Sequence, residues 1–197
     1  FMKNIVVFAS GNGSNFKKIF YCIENREING SLVMLISNNP NSGAIKFAEE
    51  NKINYKVLNN HRCNNSLDKE YEIVLRDCNV DLILLAGFMK KIPQNIVRLY
   101  KEKIMNIHPA LLPKYGGKGF YGMNVHNAVI NSGDHYSGAT VHYVNEFYDK
   151  GDVIIQKKVK IELNDDAHSL SKKVLSIEHE IYPQAIKEFC NNNKNIN

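Results

Sequence analysis

Asn106 and His108 stand two residues apart in Asn106-Ile107-His108-Pro109-Ala110-Leu111-Leu112-Pro113, and proline follows the histidine at once. Pro109 brings no N–H to a ladder and disfavours the helical region for the residue before it, so the stretch must be extended backbone leaving a strand end. Alternation then sets Asn106 and His108 on one face and turns Ile107 into apolar packing on the other. An amide N–H can stabilise an oxyanion and an imidazole trades protons near neutral pH, so the pair suits acyl transfer. The plain alternative is an Asn and a His that satisfy loop backbone groups at a strand end.

A carboxylate that orients His108 and raises its pKa would complete such a site. Asp149 in Tyr148-Asp149-Lys150-Gly151-Asp152 is the candidate and Asp152 its competitor, although turn aspartates usually cap their own backbone. The carboxylate is expected to outweigh burial in setting the imidazole's pKa. His142, in Thr140-Val141-His142, reads as a packed or supporting residue. The other histidines lack metal-ligand spacing, and His108 between an amide and a proline makes a poor ligand, so no metal is expected.

Ser10-Gly11-Asn12-Gly13-Ser14-Asn15 lies between a strand pattern and a helix pattern. Glycines there permit close backbone approach, and helix N–H groups can hold a phosphate. Simple capping by Ser14 or Asn15 is the alternative. The third glycine of the dinucleotide fingerprint is missing, and Ser37-Asn38-Asn39 stands where a ribose-binding acid belongs. No NAD is therefore expected, and a monophosphate ligand fits better.

The elements that must position these groups alternate as strand and helix through the first hundred residues, the form of a parallel sheet. Strands are expected over Ile5 to Ala9, Leu32 to Ser37, Tyr55 to Leu58, Asp81 to Ala86 and Ile104 to His108. Phe16, Ile19, Phe20 and Ile23 mark a first helix, with others over Gly43 to Asn51 and Leu67 to Cys78. Residues 114–122 have no period and four glycines, which predicts a mobile surface loop before a helix from about Asn124 to Asn131. Ala139 to Val144 and Val153 to Leu163 read as an antiparallel pair joined by a turn over Glu146 to Asp152. Leu170, Val174, Ile177 and Ile181 mark a last helix that Pro183 should bend or interrupt. The fold class is thus α/β, a doubly wound, mostly parallel sheet closed by an antiparallel pair.

The 197 residues suit one domain, 1–197, with the Asn-rich tail 191–197 frayed. A net charge of +5 favours anionic ligands but, without a basic run, not nucleic acid. The four cysteines are scattered and no secretory signal is visible, which suggests a cytoplasmic protein. No apolar run reaches the roughly 20 residues that span a bilayer, so no membrane is expected.

Taken with Leu85-Ala-Gly-Phe-Met89, Gly138-Ala-Thr-Val-His142, Gly151 and Glu178-His-Glu-Ile-Tyr-Pro183, these segments resemble the phosphoribosylglycinamide formyltransferases of purine biosynthesis over nearly the whole chain. The resemblance implies a Rossmann-like formyltransferase fold, with 10-formyltetrahydrofolate as formyl donor and glycinamide ribonucleotide as acceptor. It implies substrate phosphate at Gly13, Ser14 and Asn15, and Glu178 at the glycinamide end. A folate pocket would take in Met89, Lys90, Lys91, Ile92 and Asn106 with Asn145, Glu146, Phe147, Tyr148 and Asp149. Catalysis would fall to Asn106, His108 and Asp149. Lys90 and Lys91 stand where the family more often has one Arg and an apolar residue, and Leu175 takes a position often held by a polar substrate contact. Residues 116–122 form a loop a few residues longer than in some members. Rival readings are methionyl-tRNA formyltransferase, which normally adds a basic carboxyl-terminal domain, formyltetrahydrofolate hydrolase with its additional amino-terminal domain, and a non-catalytic nucleotide-binding module. A weak homodimer is compatible with the sequence.

Overall fold

Short apolar runs punctuated by Gly, Asn and Asp build strand–helix units. The computed structural model describes residues 2–60 and 66–192. Its elements are β1 (Lys3–Phe8), α1 (Ser14–Glu24), β2 (Gly30–Ser37), α2 (Gly43–Glu50), β3 (Tyr55–Val57), α3 (Leu67–Asp77), β4 (Leu82–Leu85), α4 (Gln94–Leu99), β5 (Ile104–His108), α5 (Met123–Ser132), β6 (Tyr136–Tyr143), β7 (Val153–Lys160) and α6 (Ala167–Asn191). The strands form one sheet in the order β3-β2-β1-β4-β5-β6-β7. Neighbours from β3 to β5 pair in parallel, while β6 runs antiparallel to both β5 and β7. The chain steps from β1 outward to β2 and β3, then returns to β4 on the other side. In such sheets that reversal opens a crevice beyond the carboxyl ends of the strands, where ligands bind.

Strand alternation sends side chains to two apolar layers. Ile5, Val7, Leu82, Leu84, Met105 and Ile107 pack with residues of α1, α2, α5 and α6. Val6, Phe8, Ile83, Leu85 and Ile104 pack with α3 and α4. Ile104 faces α3 and α4, so Asn106 and His108 share that face, beyond the residues that α4 covers, and Ile107 points into the opposite core as expected.

Three expectations change. The helix α4 was not read from the sequence, because six residues with only Ile96 and Val97 buried carry too little period to declare themselves. Pro183 does not interrupt α6, which runs 25 residues from a capping box at Asp166. One absent N–H is offset by the burial of Tyr182, Ala185 and Ile186 around it. The expected frayed tail begins too early: Asn191 is still helical, and residues 193–197 lie outside the described residues, as does Cys63.

Candidate active site

At the end of β5, the antiparallel register sets Asn106 opposite His142 and His108 opposite Thr140 on β6. The side chains of directly paired residues share a face, so four polar groups from two strands meet. Asn106 Nδ2 lies 3.1 Å from His142 Nε2, and His142 Nδ1 lies 2.8 Å from the Tyr143 carbonyl. A carbonyl only accepts, so Nδ1 carries the proton, and in the neutral ring Nε2 accepts from Asn106. This orients the amide and leaves its second N–H for a ligand. His142, read as packed or supporting, therefore sets the direction of Asn106.

Asp149 completes the cluster from the turn between β6 and β7. Its Oδ2 lies 3.8 Å from His108 Nδ1, and its Oδ1 lies 3.6 Å from His142 Nε2. The residue holds a left-handed φ of 52°, which Asp tolerates better than most side chains. The turn is built by Asn145, whose Oδ1 accepts from the Phe147 N–H and whose Nδ2 donates to the Lys150 carbonyl. Gly151 is required by close approach: a Cβ there would collide with the Tyr143 carbonyl. Asp152 is exposed and enters this network only through its backbone carbonyl, which accepts from the Tyr143 N–H, so Asp149 is the carboxylate that faces the histidines.

Electrostatics correct one expectation. Burial holds the His108 imidazole below its ordinary value, ahead of the opposing pull of the Asp149 carboxylate and the Tyr115 carbonyl, with His142 adding to the lowering. The carboxylate raises the pKa as argued from the sequence but does not win. Burial also pushes the Asp149 carboxyl up, yet His142, His108 and the Gly117 N–H together hold it below the usual carboxylate range.

The segment after His108 is fixed by Thr140, a residue the sequence analysis quoted without a role. Its Oγ1 donates to the Ala110 carbonyl at 2.6 Å and accepts from the Leu112 N–H and from Gln156 Nε2. Nor is the 114–122 loop without anchors: Tyr115 offers its carbonyl to His108 Nε2, and the Gly117 N–H donates to Asp149 Oδ2.

The glycine loop lies after β1, beside the crevice. Gly13 is the N-cap of α1 at φ 73°, and no side chain caps the helix, so Ser14 and Asn15 do not play the capping role weighed against an anion site. A Cβ on Gly13 would lie 2.9 Å from Ala44 Cβ, which demands glycine twice over. Asn15 is buried and its Nδ2 donates to Glu178 Oε2 at 2.6 Å, so a contact from the Asn15 side chain to phosphate competes with this bond, while the loop N–H groups remain to serve an anion. Burial lifts the Glu178 carboxyl to about 7, against the pull of Asn15. One turn on, the Tyr182 hydroxyl lies 3.1 and 3.0 Å from the Leu85 and Met105 carbonyls. This ties Glu178 to the ends of β4 and β5, near Asn106.

The 89–92 segment is pinned to the glycine loop, because the Met89 N–H donates to Ser10 Oγ, which donates to Asn38. Met89, Phe147 and Tyr148 are exposed, an apolar rim at the crevice. Lys91 Nζ sits 5.3 Å from the centre of the Tyr148 ring, which links the two segments read as folate-binding, and Arg98 of α4 pairs with Glu146 at 2.8 Å. Ile92 is buried in the α3/α4 layer. A cavity of about 620 Å³ opens beside this segment, lined by Lys90, Lys91 and Ile92 with Asn38, Asn59 and Tyr71, but by none of Asn106, His108 and Asp149.

Comparisons with known proteins bear on the family and the fold. The phosphoribosylglycinamide formyltransferase of Arabidopsis thaliana, a chloroplastic protein, is 42% identical over 191 residues, covering 95% of this chain; the chain spans 65% of that relative's length, just under two thirds. The Bacillus subtilis enzyme of the same name is 35% identical over 95% of this chain and 94% of its own. The crystal structure of glycinamide ribonucleotide transformylase 1 from Geobacillus kaustophilus superposes with a TM-score of 0.89 at 30% identity, covering 96% of this chain and all of that one. The formyl transferase profile matches residues 3–186, and the chain belongs to the formyl transferase family.

Proposed function

We propose that this chain transfers the formyl group of 10-formyltetrahydrofolate to the amine of glycinamide ribonucleotide. The observation that carries the reading is the cluster of Asn106, His108, Asp149 and His142, every one of them within 4 Å of another, beside an α1 N-terminus without a side-chain cap. An uncapped N-terminus after a glycine loop suits a phosphate. The exposed Met89, Phe147 and Tyr148 suit the flat rings of a folate. Relatives named phosphoribosylglycinamide formyltransferase support the choice of acceptor.

In this reading the substrate amine attacks the formyl carbon and the carbonyl oxygen gains negative charge. The free N–H of Asn106 donates to that oxygen, a contribution on the order of 3 kcal/mol to the transition state. His108 becomes more basic as charge builds beside it, and Asp149 holds the resulting imidazolium. The proton lost by the amine passes through this pair to the folate nitrogen as the carbon–nitrogen bond breaks. Glu178 receives the glycinamide end, with Asn15 holding its carboxyl. The free thiols Cys22, Cys78 and Cys190 agree with a reducing compartment such as the cytoplasm.

Purified protein is offered 10-formyltetrahydrofolate with glycinamide ribonucleotide, methionyl-tRNA or water as acceptor, and tetrahydrofolate release is followed. Release that depends on glycinamide ribonucleotide is expected. Equal release in water would replace a transferase with a hydrolase.

A further inference from the structure

The geometry points to Tyr115 and Asp134 as an anchor, outside the catalytic cluster, that fixes which nitrogen of His108 carries the proton. It rests on the proposed role of His108 only in its kinetic arm. His108 Nε2 lies 2.7 Å from the Tyr115 carbonyl, which can only accept, so Nε2 is the protonated nitrogen and Nδ1, 3.8 Å from Asp149 Oδ2, is the one that titrates. Without that carbonyl the neutral ring would gain by the opposite choice. Nδ1–H would donate to Asp149, and Nε2 would become a free base. The position of one backbone carbonyl thus decides whether His108 enters the reaction as an N–H donor toward Tyr115 that gains charge next to Asp149, or as a neutral base aimed elsewhere.

The backbone alone does not hold that carbonyl in place. Tyr115 has a φ of 55°, a conformation bulky residues rarely adopt, and the two residues after it are glycines, Gly117 at 95°. Its side chain supplies the hold. The Tyr115 hydroxyl lies 2.7 Å from Asp134 Oδ2 and 2.6 Å from Ser132 Oγ. An ionised Asp134 only accepts, so the single proton of the tyrosine hydroxyl goes to Asp134, while Ser132 gives its own proton to the Val129 carbonyl. Lys114 Nζ meets both oxygens of Asp134 at 2.9 and 2.8 Å. Lys114 and Tyr115 hold the Asp134 carboxyl below the usual range, which keeps it an acceptor. These residues sit at the end of α5, next to its C-cap Gly133, so the loop is fastened to a helix end. Asp149, His142 and His126 are the other titratable groups that act on His108.

The test is Tyr115→Phe, which keeps the ring and its contact with Phe120 but loses the hydroxyl. In ligand-free protein, ¹⁵N shifts of His108 report the tautomer directly. Wild type should show the Nε2–H form, and the variant a mixture with Nδ1–H and a lower titration midpoint, since the Tyr115 carbonyl raises it. In turnover, kcat should fall several-fold while the KM of glycinamide ribonucleotide stays within about twofold. Asp134→Asn, which keeps an acceptor but loses the charge, should move the tautomer the same way by less, and it is the second arm if the phenylalanine variant folds poorly. A folded variant of either kind with the wild-type tautomer and midpoint overturns the anchor. A tautomer that moves in a protein without transferase activity upholds the anchor and sinks the proposed reaction instead.

Discussion

At the scale of single residues, Asn106 and His108 are predicted to act together on one transition state. Ala at either position should lower kcat by roughly two orders of magnitude, and the double variant should lose far less than the product, measured as kcat and kcat/KM at saturating donor. Near wild-type turnover in either single variant would remove it from the mechanism. Asp149→Asn keeps volume and the Gly117 bond but loses charge. The carboxylate is the largest upward pull on a His108 already lowered by burial, so its removal should move the titration lower still, with activity falling severely. An unchanged NMR midpoint would make Asp149 a turn residue only. These residues were legible because proline after His108 dictates the strand end and alternation does the rest. The margin between burial and charge was not, since it depends on how many groups cover the ring, and sequence spacing does not carry that. Tyr115 stayed without a role, and His142 without a named partner, for a related reason: their contacts with His108 and Asn106 come from a loop's return path and β5–β6 register.

At the scale of elements, the joint between β1 and α1 carries the sharpest requirement. Gly13→Ala combines a left-handed φ of 73° with an approach of 2.9 Å to Ala44 Cβ on α2, so α1 and α2 must separate to admit it. The variant should lose on the order of 2 kcal/mol of stability, read by urea unfolding. In the proposed reading only glycinamide ribonucleotide brings a phosphate to α1, so its KM should rise several-fold more than that of the formyl donor. Equal rises would move the phosphate elsewhere. Strands and long helices announced themselves through period and punctuation, as Leu82–Leu85 and Ile104–His108 illustrate. The continuity of α6 through Pro183 was hidden because tertiary burial of Tyr182 and Ile186 overrides a local rule. Equally hidden was the antiparallel pairing of β6 with β5, a choice of neighbour that no single strand's pattern encodes.

At the scale of the whole molecule, two buried groups, on α5 and α6, tilt stability against pH in opposite directions. Burial on α5 pushes His126 from 6.5 down to about 4, with the His108 charge adding to the effect. Between those values the unfolded chain binds a proton that the folded protein refuses, so stability falls as pH falls. Burial on α6 pushes Glu178 from 4.5 up to about 7. Between those values the folded protein keeps a proton that the unfolded chain has lost, so stability falls as pH rises. From pH 5 to 6 each slope is about 1 kcal/mol per pH unit and the two nearly cancel. The wild type should therefore hide both. His126→Gln should leave the Glu178 slope uncovered, losing about 1 kcal/mol relative to wild type as pH rises from 5 to 6. Glu178→Gln should gain about as much over the same step, and the double variant should run parallel to wild type. Urea unfolding at pH 5, 5.5 and 6 measures all four proteins. Single variants that run parallel to wild type would mean that neither group is buried as deeply in solution as the α5 and α6 packing requires.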